Sequence, residues 1–403
     1  MQVVEARNRV GGRIFSRSVG EEVVELGAEF VHGKPPILWN LIEEAGLETY
    51  ELGGKHFCWE HDVQECGDKF GRDFEWLEAL KDWDREDCSF AEYLDLAHVP
   101  ESSRKLLIGF VEGFNAADHH VIGVAALAKQ QAIEDATEGD RMFHVRGGYA
   151  QVTEFLAQQV RKLGGTFSTE TRAIALRWKQ RSVEVDCLRN GEPETYRATA
   201  VVIALPLGVL QSGALKIFPS PTQAMQFVSQ IRVGHARRMV LVFRQKFWAN
   251  AAARTGIHGL NQLSFLHASG ELFPVWWTKF PEESSILVAW SGGPRADAIA
   301  GRTREELEGE AIRELAKIFA IEKAQLHKLL LQTESHDWQQ DPLALGSYSY
   351  LPAGGLHVPD ALSEPIESTL FFAGEHTDTT GNWGTVHGAM ESGQRAANQI
   401  LRR

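Results

Sequence analysis

Val4-Glu5-Ala6-Arg7-Asn8-Arg9-Val10-Gly11-Gly12-Arg13 begins this chain with an apolar strand end, a carboxylate and a cationic glycine loop. Gln2-Val3-Val4-Glu5 reads as the end of a buried strand, and Arg9 to Arg13 as the loop after it. In a dinucleotide-binding unit a Gly-rich turn holds the pyrophosphate, and an Asp or Glu about 20 residues later bonds the adenosine ribose. Glu5 stands where that carboxylate stands. The loop adds flexible backbone and cations for phosphate oxygens. A lone strand-end Glu is most often a solvated surface residue, so the weight rests on the whole string.

Outward from this stretch, Val23 to Phe30 carries a short apolar strand pattern, and Pro35 to Leu47 reads as a helix with Pro at its start and Gly46 near its end. Residues 55–90 give no clear period. Residues 102–133 read as helical, with Leu106, Leu107, Phe110, Val111 and Phe114 as apolar positions. A helix over Tyr149–Leu163 stops at Gly164-Gly165, and short strands follow at 166–178, 182–188 and 198–205. Further on come a strand at Met239–Phe243, an amphipathic helix at Arg304–Phe319, a strand at Leu370–Ala373 closed by Gly374, and a helix at Gly388–Leu401. Strand, glycine turn and helix at both ends predict one α/β domain assembled from separated segments, with a second domain between them. The expected division gives residues 1–50, 140–213 and 352–403 to a Rossmann-like domain. Residues 51–139 and 214–351 go to an α+β domain with a mixed sheet.

The 403 residues are 43% hydrophobic and 24% charged, the balance of a soluble globular chain with a large core. The longest apolar run, Ala198–Leu210, contains Pro206 and is too short for a bilayer. No signal-peptide pattern stands at the N-terminus. A net charge of −13 argues against nucleic acid as a partner. The cysteines Cys58, Cys66, Cys88 and Cys187 form no CxxC, so reduced thiols, no metal site and a cytoplasmic location are expected. The oligomeric state is not legible.

The opening string resembles that of the flavin-containing amine oxidases, the group of polyamine oxidases, monoamine oxidases and lysine-specific histone demethylases. The likeness continues in Val24-Glu25-Leu26-Gly27-Ala28-Glu29-Phe30-Val31-His32-Gly33 and in Trp338-x-x-Asp341-Pro342 through Gly346-Ser347-Tyr348-Ser349-Tyr350. It is strongest in Phe372-Ala373-Gly374-Glu375-His376-Thr377, followed by Gly384-Thr385-Val386-His387-Gly388-Ala389. The matches keep the family's order over nearly the whole chain.

The resemblance implies FAD as cofactor. Glu5, beside Ala6, would bond the adenosine ribose, and Arg7 and Arg13 would approach the pyrophosphate around Gly11 and Gly12. Gly27 and Ala28, continued by Glu29 and Phe30, would lay backbone against the flavin, and Ala173 would meet the adenine. Gly374 and Glu375 would stand beside the ribityl chain and phosphates. Gly384, Thr385 and Val386 would begin a helix whose amides face the electron-rich edge of the flavin. Trp338 and Tyr348 would line the flavin and the substrate cavity, where an amine gains apolar and cation–π contact. Thr385 stands where monoamine oxidases have a second Tyr. Ser347 stands where they have the Cys that attaches flavin, so noncovalent FAD is expected. His32 would face the substrate, or be structural. The implied reaction passes a hydride equivalent from the α-carbon of a neutral amine to the flavin. The imine then hydrolyses, and oxygen reoxidises the cofactor to give hydrogen peroxide.

Two departures from the family pattern bear on this. No GxGxxG precedes Glu5, so the chain is expected to begin about one βα unit late in the family fold. The expected consequences are weaker FAD binding and exposed sheet edges. An upstream start is the preferred explanation, ahead of a degenerate remnant or a strand supplied by a partner. Second, Arg238 stands where the family has a flavin-side Lys that assists reoxidation, and Arg is not a conservative replacement for it. Arg238 would either act there or only pair with an acidic neighbour. Three readings stay open: an amine oxidase with Tyr348, Thr385, Arg238, His32 and Trp338 at its reactive end; a flavin-dependent desaturase on the same fold; and a truncated scaffold without stable FAD. The expected partner is a small-molecule amine, with no nucleic acid and no membrane.

Overall fold

The computed structural model describes residues 1–251 and 257–402, so positions 252–256 of the 214–351 stretch, and position 403, lie outside the description. Two parallel strand pairs lie at the α/β end. Gln2–Val4 pairs with Thr166–Ser168, and Val201–Ile203 pairs with Leu370–Phe372. Phe371 and Ala373 pack against Ala396 of the helix Val386–Leu401, which follows the second pair. A four-stranded sheet, ordered Glu192–Ala198, Ser182–Arg189, Thr171–Lys179 and Lys216–Phe218, stands beside them.

The other large element is a seven-stranded mixed sheet. Its order is Leu330–Glu334, Ala236–Phe243, Ile286–Gly292, Val275–Trp277, Leu263–His267, Lys55–Trp59 and Val63–Glu65. Leu263–His267 runs parallel to Lys55–Trp59, and the remaining neighbours are antiparallel. Every residue of Ala236–Phe243 is buried. The two-residue period of a strand then assigns its faces. Met239, Leu241 and Phe243 pack with Leu287, Ala289 and Trp276 against the helix Arg304–Ile318. Val240 and Val242 pack on the opposite face with Val288, Phe265, Trp277 and the hairpin residues Val19, Val24 and Leu26. Arg238 falls in register with this second face, across from Trp290.

Several expectations need correction. The helix over 102–133 is two helices, Glu101–Asn115 and Val124–Ala136. Ala116 adopts a left-handed φ of 49°, and Gly123 crosses so close to Ala353 that an added Cβ would lie 2.9 Å from its Cα. The Val23–Phe30 pattern contains the strand Glu22–Glu25, and a separate short strand, Val31–His32, follows it. A strand at Glu192–Ala198 went unread. Reduced thiols do not hold throughout: Cys58 and Cys66 form a disulfide between the neighbouring strands Lys55–Trp59 and Val63–Glu65, while Cys88 and Cys187 are free. Among the described residues no helix is long and apolar enough to cross a membrane.

The helix Arg304–Ile318 starts with a capping box between Thr303 and Glu306. Its Glu314 is buried and accepts hydrogen bonds from the amides of Leu272 (2.8 Å) and Phe273 (3.2 Å). Burial pushes the Glu314 carboxyl up to about 7. Glu314→Ala strands both amides, so a loss of about 2–3 kcal/mol is expected from denaturant unfolding. Thr303→Ala should cost about 1 kcal/mol. Equal effects of the two would show that Glu314 is not the anchor of residues 272–273.

Candidate active site

A cavity of about 1990 Å³ is lined by residues from Met1 to Leu401. Drug-sized pockets commonly reach 300–1,000 Å³, so there is room here for a large cofactor and a substrate together. All the residues expected at the site line it, among many others. The distances between them say more than this shared lining.

At the α/β end, Glu5 Oε1 accepts a 2.7 Å hydrogen bond from the Arg7 amide. Burial raises the Glu5 carboxyl above its usual value, against the pull of that amide and of the Arg7 and Arg9 charges. A pair of hydroxyls reaching this carboxylate would meet its unfilled acceptor capacity. Arg7 pairs with Asp341 at 3.0 Å and lies 5.7 Å over the Trp338 ring. Ala6, Gly11, Gly12 and Ala173 complete the wall here. Gly12 has a φ of 56°, and an added Cβ would meet nothing within 4 Å.

In the middle, Glu375 joins three segments. Its carboxylate meets Arg13 Nη1 at 3.0 Å, Ser349 Oγ at 2.5 Å, the Ser349 amide at 3.3 Å and the Gly384 amide at 2.9 Å. Burial would raise its pKa, but Arg13, His376 and these donors prevail and hold it below the ordinary value. Arg13 also donates to the Ser347 carbonyl at 2.7 Å. Gly374, before Glu375, takes a φ of 122°. Thr385 caps the helix Val386–Leu401: its hydroxyl accepts from the Gly388 amide at 3.0 Å and donates to the Asn382 carbonyl at 2.8 Å. The first helical amides, from Val386 onward, have no intrahelical acceptor, which suits this end to negative charge. Gly27 could carry no side chain, because an added Cβ would sit 1.8 Å from the Arg13 carbonyl oxygen and 3.1 Å from Trp338. Ala28 follows it, with its amide on the same Arg13 carbonyl at 3.1 Å.

The other end is aromatic. Trp338 Nε1 donates to the Leu26 carbonyl at 2.8 Å, and Tyr348 Oη donates to the Phe114 carbonyl at 2.7 Å. Burial pushes the Tyr348 phenol up, so it stays protonated. His32 stands edge-on to Phe30 at 5.8 Å and to Phe114 at 5.5 Å. Burial, with the neighbouring His387, lowers His32 to about 4. Arg238 donates to the Glu25 carbonyl at 2.7 Å and meets Glu29 Oε2 at 3.1 Å. Glu29 Oε2 has no aligned hydrogen bond, so that contact is ionic rather than directional. Glu29 also accepts from Trp277 Nε1 at 3.2 Å. The Arg238 guanidinium lies 5.4 and 5.5 Å from the centroids of Trp277 and Trp290, two rings that are themselves 5.9 Å apart.

Several lining residues escaped the sequence reading: Phe110, Phe114, Phe265, Trp277, Trp290 and Glu134. Phe110 and Phe114 were legible as apolar helix positions, but not by face. Leu107 and Val111 are buried in the core, while Phe110 and Phe114 keep 37% and 41% of their surface. For Glu134 the sequence carries no signal.

The model of the family described as flavin containing amine oxidoreductase matches residues 1–107 and 73–401. Polyamine oxidase 2 of Arabidopsis thaliana is 27% identical over 441 residues, covering 100% of this chain and 83% of that protein. The flavin-containing amine oxidase B of Bos taurus is 26% identical, covering 99% and 81%. Among solved structures, a putrescine oxidase double mutant aligns with a TM-score of 0.82 at 20% identity, covering 100% of this chain and 93% of that one. The cyclohexylamine oxidase from Brevibacterium oxydans aligns at 0.80 and 21%, covering 100% and 94%.

Glu375→Ala should lower stability by about 3 kcal/mol, as losing one partner of a buried charge pair does, and Ser349→Ala by about 1 kcal/mol. Similar small losses from both would deny Glu375 its joining role. A second expectation concerns acid. His32, His144, His376 and His387 are each lowered from 6.5 to about 4, mainly by burial. The unfolded chain therefore takes up protons first as pH falls. These four rings contribute stability that is full above about pH 6.5 and is lost between 6.5 and 4, while Glu314 and Glu134, raised to about 7, act in the opposite sense as they protonate in the folded chain. His376→Gln should therefore flatten the change of the urea midpoint across that range relative to the unsubstituted chain, and identical profiles would contradict the burial of this ring.

Proposed function

Because this chain belongs to the flavin containing amine oxidoreductases, we propose that it is an oxidase that holds FAD without a covalent bond and oxidises an amine C–N bond to an imine. In this reading oxygen is the acceptor and yields hydrogen peroxide. The observation that carries the reading is the single cavity joining a carboxylate, a glycine-lined wall and a helix N-terminus to an aromatic end where Arg238 and Glu29 pair with each other. Glu5, Arg13, Gly27, Glu375 and the amides from Val386 onward fit a dinucleotide with a flavin ring. Bound FAD supplies the two-electron acceptor. The chain's own residues position the amine. Tyr348, Phe114 and Phe30 give it apolar walls, while neutral His32 and protonated Tyr348 place no charge there. Desolvation in such a site favours the neutral amine, the form with a lone pair to donate. Water then hydrolyses the imine to a carbonyl compound and the shortened amine. Residues 1–50, 140–213 and 352–403 form the cofactor half in this proposal, and 51–139 and 214–351 the substrate half.

Cytoplasmic location is part of the proposal from sequence alone, and Cys58–Cys66 is a bond that oxidising compartments keep. Thiol labelling in fresh lysate decides between them. Four labelled cysteines favour the cytoplasm, and two favour an oxidising compartment.

The decisive assay is optical. Protein purified after growth with riboflavin is expected to carry a flavin spectrum, and acid should release the flavin intact. Anaerobic mixing with simple alkyl amines should bleach the spectrum. Admitting air should restore it and produce one hydrogen peroxide per carbonyl. Flavin that no amine bleaches would end the amine reading. Bleached flavin that persists in air would end the oxygen part alone.

A further inference from the structure

The helix Glu101–Asn115 ends at Ala116, and the turn after it carries Asp118, His119 and His120 in succession. This carboxylate and these two imidazoles offer one donor atom each, all within 4.8 Å of one another. The two rings lie 4.0 Å apart between centroids. Donors bonded to a tetrahedral ion at about 2.0–2.1 Å stand roughly 3.3 Å from one another. Side-chain rotations that close the set by about 1.5 Å at most therefore complete three legs of such a site.

The backbone fixes where these donors stand. The Asp118 carbonyl accepts the amides of Val121 and Ile122, both at 2.9 Å, and the His119 carbonyl accepts the Ala91 amide at 2.9 Å. Asp118 Oδ1 accepts the His120 amide at 2.9 Å, which leaves the carboxylate further lone pairs to give. Glu112 stands behind the turn. It is buried, and its Oε1 lies 2.7 Å from His119 Nδ1. Its position is set by the crossing of Gly292 and Gly293, where an added Cβ would lie 2.8 and 3.2 Å from Glu112. A carboxylate on one ring nitrogen orients the imidazole, fixes its tautomer and leaves the other nitrogen's lone pair for a metal. His120 is exposed, so an ion can enter from solvent.

We infer that Asp118, His119 and His120 bind a divalent transition-metal ion of the Zn²⁺ class, with Glu112 as the outer partner of His119 and water in the fourth position. Imidazole donors suit Zn²⁺, Cu²⁺ and Ni²⁺, whereas Mg²⁺ and Ca²⁺ require more oxygens than this turn supplies. The ion is structural. It clips the turn to the end of the helix Glu101–Asn115, whose Gly113 and Phe114 carbonyls accept from Trp290 Nε1 at 2.9 Å and Tyr348 Oη at 2.7 Å. No flavin or amine takes part, so this site stands or falls apart from the oxidase reading.

The probe is Zn²⁺ alone, titrated calorimetrically into the 403-residue chain as isolated, without a histidine tag, after an EDTA wash and desalting. Equimolar Zn²⁺ should bind, and saturating Zn²⁺ should raise the urea midpoint. His120→Ala, at an exposed position that folding does not depend on, should weaken binding more than about 10-fold and remove the rise. Glu112→Gln should weaken it about 10–100-fold at unchanged stoichiometry. A large excess of Mg²⁺ should not compete. No binding, binding that His120→Ala leaves unchanged, or displacement by Mg²⁺ would overturn the site. An unchanged affinity in Glu112→Gln would overturn the part given to Glu112.

Discussion

A single buried carboxylate holds the site together. Glu375 is 4% exposed, and donors at 362, 26 and 9 positions from it in the chain reach it: Arg13, Ser349 and the Gly384 amide. Such a group would be costly alone in a low-dielectric interior. With four donated hydrogen bonds, one of them charge-assisted, it becomes a fixed point. Its position sets where the glycine loop ends, where the strand Tyr348–Tyr350 lies and where the last helix begins. Thr385 then settles the helix end by satisfying the Gly388 amide with a side chain. The amides of Val386 and His387 are left without an intrahelical acceptor, and both residues line the cavity.

The opposite wall follows from a simpler constraint, the alternation of a buried strand. Met239 and Leu241 must face the helix Arg304–Ile318, so Arg238 must face away from it. A guanidinium on that side needs partners. It finds Glu29, the Glu25 carbonyl and two indole faces. These groups brace one position, while the residue also lines the cavity and its Nε has no hydrogen-bond partner among the described residues. Replacing a cation of this kind by Lys would exchange a planar group near two indoles for a point charge, and the bracing would not carry over.

What could be read from the sequence was the chemistry that is local in the chain. Glu5 at a strand end, the glycines of the loop, and the strand-turn-helix from Leu370 onward each announce themselves within a few residues. The resemblance implied that Arg13 and Glu375 would approach one cofactor, and the two side chains meet each other across 362 positions. The misses have physical causes. The helix breaks at Ala116, which takes a left-handed φ, and Gly123 before the next helix packs against Ala353, a contact between remote segments. The disulfide depends on Cys58 and Cys66 falling on neighbouring strands of residues 55–65, a region rich in aromatics and charge without a readable period. Glu134 looks like any helix-surface glutamate until it is seen to line the cavity with residues of distant segments.

The two ends of the substrate cavity differ in what they do to a proton. Around His32 and Tyr348, desolvation removes charge: the imidazole is lowered to about 4 and the phenol is raised. The same environment acts on an amine as it does on the histidine, lowering its pKa and releasing the lone pair that oxidation requires. Around Glu134 desolvation works on a carboxyl and raises it to about 7, so one physical cause removes positive charge at one place in the cavity lining and negative charge at another.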